Sequence, residues 1–396
     1  MCYFSNFSQI YRRIMRIYTK SLYLTVAILL FNIFLLSAQN SYVKKYENSL
    51  VFAGIEVGSK GVKMSLVEIE RTAVRNGAFN VMKDTTVNTD FISFTQPTYQ
   101  ATLAALNNLY DMAIKDYMIP ANNVFTAISS GVNIQAVKEN KLTWVDQLIN
   151  AFRFNFNEPE RKVSIIDVRE EARLSHLGIV PDSRRYNTFL IDIGSGNTKG
   201  GYFPNGNTKD FKLFQLSWGT KSTSNAAEKR LGGDISLDNY NSQLKSVLAG
   251  VENGEIVYAV NESGSYPMSD NVAFSGGIAW SLATLMYPEL INNSVVPVTY
   301  DEVLNFNEKL LKNHAALSDY YILKTLNDKS LDMGAIEKEV KRVNQVFDQR
   351  SLMAGTGLLL KIMRQFESVY EKKNFYLVKN GAVGWITAYV NQNSSK

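Results

Sequence analysis

The chain has 396 residues, 45% hydrophobic and 20% charged, with 24 Gly, 8 Pro, one Cys and two His. That apolar content supports a real core and, at this length, two domains rather than a disordered chain. The lone Cys2 excludes a disulfide scaffold, a cysteine zinc cluster and a Cys-x-x-Cys redox site, and two histidines leave little for His-rich metal sites, so any chemistry must be oxygen chemistry.

The formal charge of +5 owes much to Arg12, Arg13, Arg16 and Lys20, which precede the acid-free apolar run Ser21 to Ala38 (SLYLTVAILLFNIFLLSA). A basic flank, an apolar stretch and small residues before Gln39 read as an export signal, with Met15 as a start that would give the flank an ordinary length. The run is also long enough to span a bilayer, so residues 1–38 are expected to be a signal peptide or an uncleaved anchor. Export places the rest in the periplasm or cell envelope, touching membrane only through this segment. Removing the four basic residues leaves 38 Lys and Arg against 37 Asp and Glu, a net charge of +1, which gives no electrostatic case for nucleic acid.

Leu50 to Glu56 and Lys63 to Ile69 read as strands joined at Gly58-Ser59-Lys60-Gly61, a hairpin signal. A third strand fits Phe79 to Phe91, and Pro97 opens a helical pattern carrying Leu103, Leu106, Leu109 and Met112. Strand Asn123 to Ile128 follows, then helical stretches around Trp144 to Phe152 and Glu170 to Leu177, separated by the apolar Val163 to Ile166. The pattern restarts at Asn187 to Ile193 and Lys199 to Phe203, with a third strand at Phe211 to Leu216 and a helix from Thr220. Strand Val272 to Phe274 enters the turn Ser275-Gly276-Gly277 before an apolar helix from Ile278; helix Arg350 to Tyr370 and strand Phe375 to Val378 close the order.

Two acidic strand ends, Glu56 in GIEVGSKGVK and Asp192 in LIDIGSGNTK, stand 136 residues apart and introduce nearly the same string. Duplicated α/β units, 39–185 and 186–396, would set these turns across one cleft. Glycine-rich turns can point successive backbone N–H groups at a phosphate. This nominates Gly58, Ser59, Lys60, Gly61, Gly194, Ser195, Gly196, Asn197 and Lys199 as phosphate-binding, and Ser275, Gly276 and Gly277 as cleft lining. Glu56 and Asp192 would hold Mg²⁺ or another divalent cation, which prefers oxygen ligands. Each turn taken alone is an ordinary hairpin with a solvated acid at its end; the pairing argues for a site.

This layout resembles the actin, sugar kinase and heat-shock ATPase superfamily, and within it the Ppx/GppA exopolyphosphatases and guanosine pentaphosphate phosphohydrolases. The distinctive stretch is Arg169 to Gly178 (REEARLSHLG) followed by LIDIGSGNTK, with weaker echoes at Leu216 to Lys221 and Asn380 to Gly384. The resemblance implies a two-domain actin-like α/β fold, of the duplicated ribonuclease H type, with an interdomain cleft. It also implies metal-assisted attack of water on a terminal phosphoryl group of polyphosphate or a nucleotide polyphosphate, with Glu171 as general base. Arg173 could fork to a carboxylate and hold the helix, and His176 reads as a surface or half-buried helix residue. A homodimer is compatible with the resemblance.

The chain departs from the family pattern. Glu56 stands where the family has Asp, Lys60 where it has Asn, and Lys199 where it has a second acid, while Thr126 to Asn133 lacks its arginine. The turns also read somewhat like those of sugar or acetate kinases, although ATP is scarce outside the cytoplasm. The expected function is an exported phosphohydrolase; the alternative is an actin-like binding or scaffold module of the envelope without chemistry.

Overall fold

The computed structural model describes residues 42, 44–70, 79–264, 269–328, 330–367, 372–379, 381 and 384–394. The leader at 1–38 lies outside these, as do Asn380, Ala382 and Val383 of the last family echo. Among the described residues, no helix is long and apolar enough to cross a membrane.

The first half runs β1 (Ser49–Val57), β2 (Gly61–Glu70), β3 (Phe79–Asn88), α1 (Gln96–Asp111), β4 (Val124–Ile128), α2 (Ser130–Lys138), α3 (Leu142–Asn155), β5 (Val163–Ile165) and α4 (Val168–Ile179). The second runs β6 (Thr188–Ile193), β7 (Thr198–Tyr202), β8 (Lys212–Leu216), α5 (Thr220–Glu228), α6 (Leu237–Val251), α7 (Val257–Ser263), β9 (Asn271–Ser275) and α8 (Gly277–Met286). It continues through β10 (Val295–Val298), α9 (Tyr300–Lys312), α10 (Asp319–Thr325), α11 (Met333–Val346), α12 (Gln349–Glu367), β11 (Asn374–Val378) and α13 (Gly384–Ser394).

The two sheets repeat one plan. The first has strand order β3-β2-β1-β4-β5, and the second, β8-β7-β6-β9-β11, follows the same order with β10 added at its edge. In each, the opening strand pairs antiparallel with the next and parallel with a later one: β1 with β2 and β4, β6 with β7 and β9. Central strands buried on both faces read as continuous apolar runs, as VFAGI of β1 and FLI of β6 do. The third strand ends at Asn88, short of Phe91, because Asp90 adopts a left-handed backbone and a turn of 3-10 helix begins.

Each half has its own apolar core, one around Ile55, Leu66, Tyr110 and Phe152, the other around Phe189, Phe214, Phe274 and Leu359. A smaller cluster joins Leu174 of α4 to Trp385 and Ile386 of α13, so the C-terminal helix packs on α4 and on β1 of the first half. Helix starts follow local chemistry: Thr95 caps α1 in a capping box with Thr98, and the Asp167 side chain accepts from Glu170 N–H at 2.8 Å to open α4. Near the chain's start, buried Glu68 of β2 accepts from the backbone N–H groups of Lys45 and Tyr46, both at 2.9 Å, from Ser49 Oγ at 2.6 Å and from Asn80 Nδ2 at 3.1 Å.

Candidate functional site

The two glycine turns meet. A Cβ placed on Gly131 would lie 2.9 Å from Asn197 Oδ1 and 3.1 Å from Ser59 Oγ, and one on Gly196 would lie 2.8 Å from Ser59 Oγ. Only glycine lets the turns and the first residues of α2 approach so closely. Gln135 Nε2 of α2 donates to the Gly196 carbonyl at 2.9 Å, and the first N–H groups of α5, on Thr220 and Lys221, donate to Gly194 and Ser195 carbonyls.

Around this junction opens a cavity of about 580 Å³. Its walls include Glu56, Gly58, Ser59, Lys60, Gly61, Glu171, Asp192, Gly194, Ser195, Gly196, Asn197, Lys199, Gly276 and Gly277. Ser275 is different: it is fully buried behind the wall and donates its hydroxyl to Asp192 Oδ1 at 3.1 Å. Gly276 takes φ +92°, and a Cβ there would lie 2.3 Å from the Ile193 carbonyl oxygen, so the turn into α8 needs glycine.

Glu171, 1% exposed, sits at the floor. Its Oε2 accepts the Ser130 N–H at 2.5 Å, at the N-terminus of α2, and its Oε1 pairs with Lys199 Nζ at 2.8 Å. The same ammonium lies 2.7 Å from Asp192 Oδ2. Burial pulls Lys199 toward neutrality, but Asp192 and Glu171 outweigh it and hold its pKa above the ordinary lysine value. Strand register explains the placement: with the turn at 194–197, Asp192 falls opposite Lys199, as Glu56 falls opposite Lys63 in the first half. Glu56 is buried, its Oε2 has no hydrogen-bond partner, and burial raises its pKa above the usual carboxylate range.

These donors do not fit a divalent cation. Among the described residues, no three His, Cys, Asp or Glu side chains gather as metal ligands. The Asp192 oxygen that would face a metal is already paired with an ammonium, which repels a second cation. The expected Mg²⁺ at Glu56 and Asp192 therefore meets a lysine where a third acid would be needed.

Lys60 also differs from its expected phosphate role. Its Nζ donates to the Val346 carbonyl at 2.9 Å, at the end of α11, and lies 4.5 Å above the Phe347 ring. Lys221 pairs with Asp90, and Arg342 with Asp84 at 3.0 Å. These three contacts clasp the two halves beside the cavity. Sequence reasoning missed Ser130, because Ser-Ser-Gly reads as a turn rather than a helix start, and it missed Lys63 and Lys221, which line the same cavity.

Arg173 forks to both oxygens of Glu170 at 2.8 Å. His176 proves fully buried rather than half-buried: its Nε2 lies 3.0 Å from the Thr188 carbonyl and its ring packs edge-on against Phe203. It supports the fold and does not reach the cavity.

No protein-family model matches the chain, and no curated protein matches it. Solved structures do. A Ppx/GppA family member from Aquifex aeolicus aligns with TM-score 0.58 and 15% identity, over 88% of this chain and 98% of that one. An exopolyphosphatase-like protein aligns with TM-score 0.59 and 14% identity, over 88% and 100%. An exopolyphosphatase from Cytophaga hutchinsonii aligns with TM-score 0.53 and 13% identity, over 88% and 99%. With its duplicated sheets, its paired glycine turns and these neighbours, the chain has the two-domain actin-like fold of the Ppx/GppA phosphatases.

Proposed function

We propose that the cleft binds a polyphosphate or nucleotide polyphosphate by its terminal phosphoryl group and hydrolyses the outermost phosphoanhydride. The observation that carries this reading is the placement of Glu171, buried at the meeting point of the two glycine turns and beside a fixed ammonium. The turns of 58–61 and 194–197 cradle the phosphoryl oxygens with backbone N–H groups. Water attacks phosphorus in line with the bridging oxygen; a new O–P bond forms, the bridging P–O bond breaks, and the water proton passes to Glu171. Beside the lone pair that accepts from Lys199, Glu171 Oε1 has a second one for the water proton. The division at residues 185 and 186 belongs to this proposal. So does export of the chain, which rests on the basic flank and apolar run before residue 39.

A binding or scaffold module without turnover is the second reading, favoured by the engagement of both Glu171 oxygens. Phosphate release by purified residues 39–396 from polyphosphate and from guanosine and adenosine polyphosphates separates the two. The hydrolase reading expects release that Glu171→Gln abolishes while ligand affinity stays near wild type. Equal loss of binding and turnover removes the general-base role, and no release from folded wild-type protein leaves the binding module.

A further inference from the structure

Lys199 is a singular group in this cleft. It is 4% exposed, its Nζ touches carboxylates from two different elements, Glu171 of α4 and Asp192 of β6, and both carboxylates line the cavity. Its position is fixed by register, directly across the β6–β7 hairpin from Asp192. A Cβ on Gly194 would lie 3.6 Å from Nζ, so the ammonium abuts the second glycine turn itself. An ammonium carries three protons. Two serve Asp192 and Glu171, which leaves one for an oxygen seated in the turn.

We infer that Lys199 is the resident cation of this site, holding the terminal phosphoryl group in place of a divalent metal, so that phosphoanhydrides bind here without Mg²⁺. The inference rests on the phosphate-binding reading above. A buried point charge held by two carboxylates supplies what the phosphoryl oxygens need, a cation between them and the acids of the floor. The same ammonium repels a metal from the Asp192 oxygens, and no cluster of three acidic, imidazole or thiol ligands is present among the described residues. Burial works against its charge, but both neighbouring carboxylates favour the protonated form and outweigh it.

Isothermal titration of the wild-type protein with tripolyphosphate, in EDTA and in Mg²⁺, tests this directly. The expected result is binding in both buffers with affinities within about threefold of each other. Lys199→Met should lose about tenfold or more in EDTA and Lys199→Arg should keep most of the affinity. Mn²⁺ titration followed by electron paramagnetic resonance should find no bound ion in wild type and a bound ion in Lys199→Glu, whose extra carboxylate completes an oxygen set. Tripolyphosphate binding that requires Mg²⁺, or Mn²⁺ bound by wild type, overturns the cation role while leaving the phosphate reading intact. Binding in neither buffer overturns the phosphate reading and this inference with it. The wild-type comparison needs no variant to fold.

Discussion

Replacing Glu68 with Gln removes the carboxylate that ties residues 45–49 to β2. Burial would push this carboxyl upward, but hydrogen bonds from Ser49, Lys45, Tyr46 and Asn80 outweigh it and hold its pKa near 2, against an ordinary value of 4.5. With each pKa step worth about 1.4 kcal/mol, the ionised group contributes about 3 kcal/mol near neutral pH. Because the folded value lies below the unfolded one, that contribution is fully present above the unfolded value and is lost as pH falls through the folded one. In Glu68→Gln an amide NH₂ faces two of the four donors, so urea unfolding at about pH 6 should show a loss of about 2–3 kcal/mol. At about pH 3 the gap to wild type should shrink by about 2 kcal/mol, since most of the linkage has been spent. Amide exchange at Lys45 and Tyr46 should accelerate in the variant. A gap equal at both pH values refutes the linkage and would make Glu68 a packing residue only.

Gly178 faces Gly384, and a Cβ on it would lie 2.0 Å from the Gly384 carbonyl oxygen. Gly178→Ala should therefore force α4 and α13 apart and cost about 1–3 kcal/mol in chemical denaturation, and because Glu171 lies about two turns back on α4, it should weaken tripolyphosphate binding too. Unchanged stability would show that the helices do not meet there. His176, pushed down to about 4 mainly by burial, should stay neutral from neutral pH down to its folded value; an imidazole NMR titration with a midpoint near the ordinary 6.5 would contradict its buried placement.

The duplicated strands were legible because GIEVGSKGVK and LIDIGSGNTK share an acid, a glycine turn and a lysine seven positions on. Hairpin register follows from that spacing and sets Asp192 opposite Lys199, but by residue type the two read as a metal ligand and a phosphate ligand rather than as an ion pair, and the arrival of Glu171 from α4 was visible only through the family likeness. Helix α2 was hidden because Ser129-Ser130-Gly131 reads as a turn, while in the fold the Ser129 N–H is anchored to the Val57 carbonyl and the helix starts beneath the first glycine turn. Lys60 could not be placed from sequence: its partner carbonyl on Val346 is 286 positions away, and no periodicity encodes a contact of that range. Helix α13, near the chain's end, packs on the first sheet for the same reason, through residues whose partners are remote in sequence.

The clasp formed by Lys60, Lys221 and Arg342 bears on how the cleft responds to its surroundings. A closed ground state lowers apparent affinity by the fraction of molecules that are open. Arg342 and Asp84 are each about two-fifths exposed, so dissolved salt screens that contact, whereas the Lys60 ammonium, half-buried against Phe347, is shielded from it. Ionic strength thus loosens the outer fastening of the cleft while the inner one, from Lys60 to the Val346 carbonyl, holds. A medium of changing salt content would therefore act on the rim of the cavity and leave the buried groups at its floor, Glu171 and Lys199, as they are.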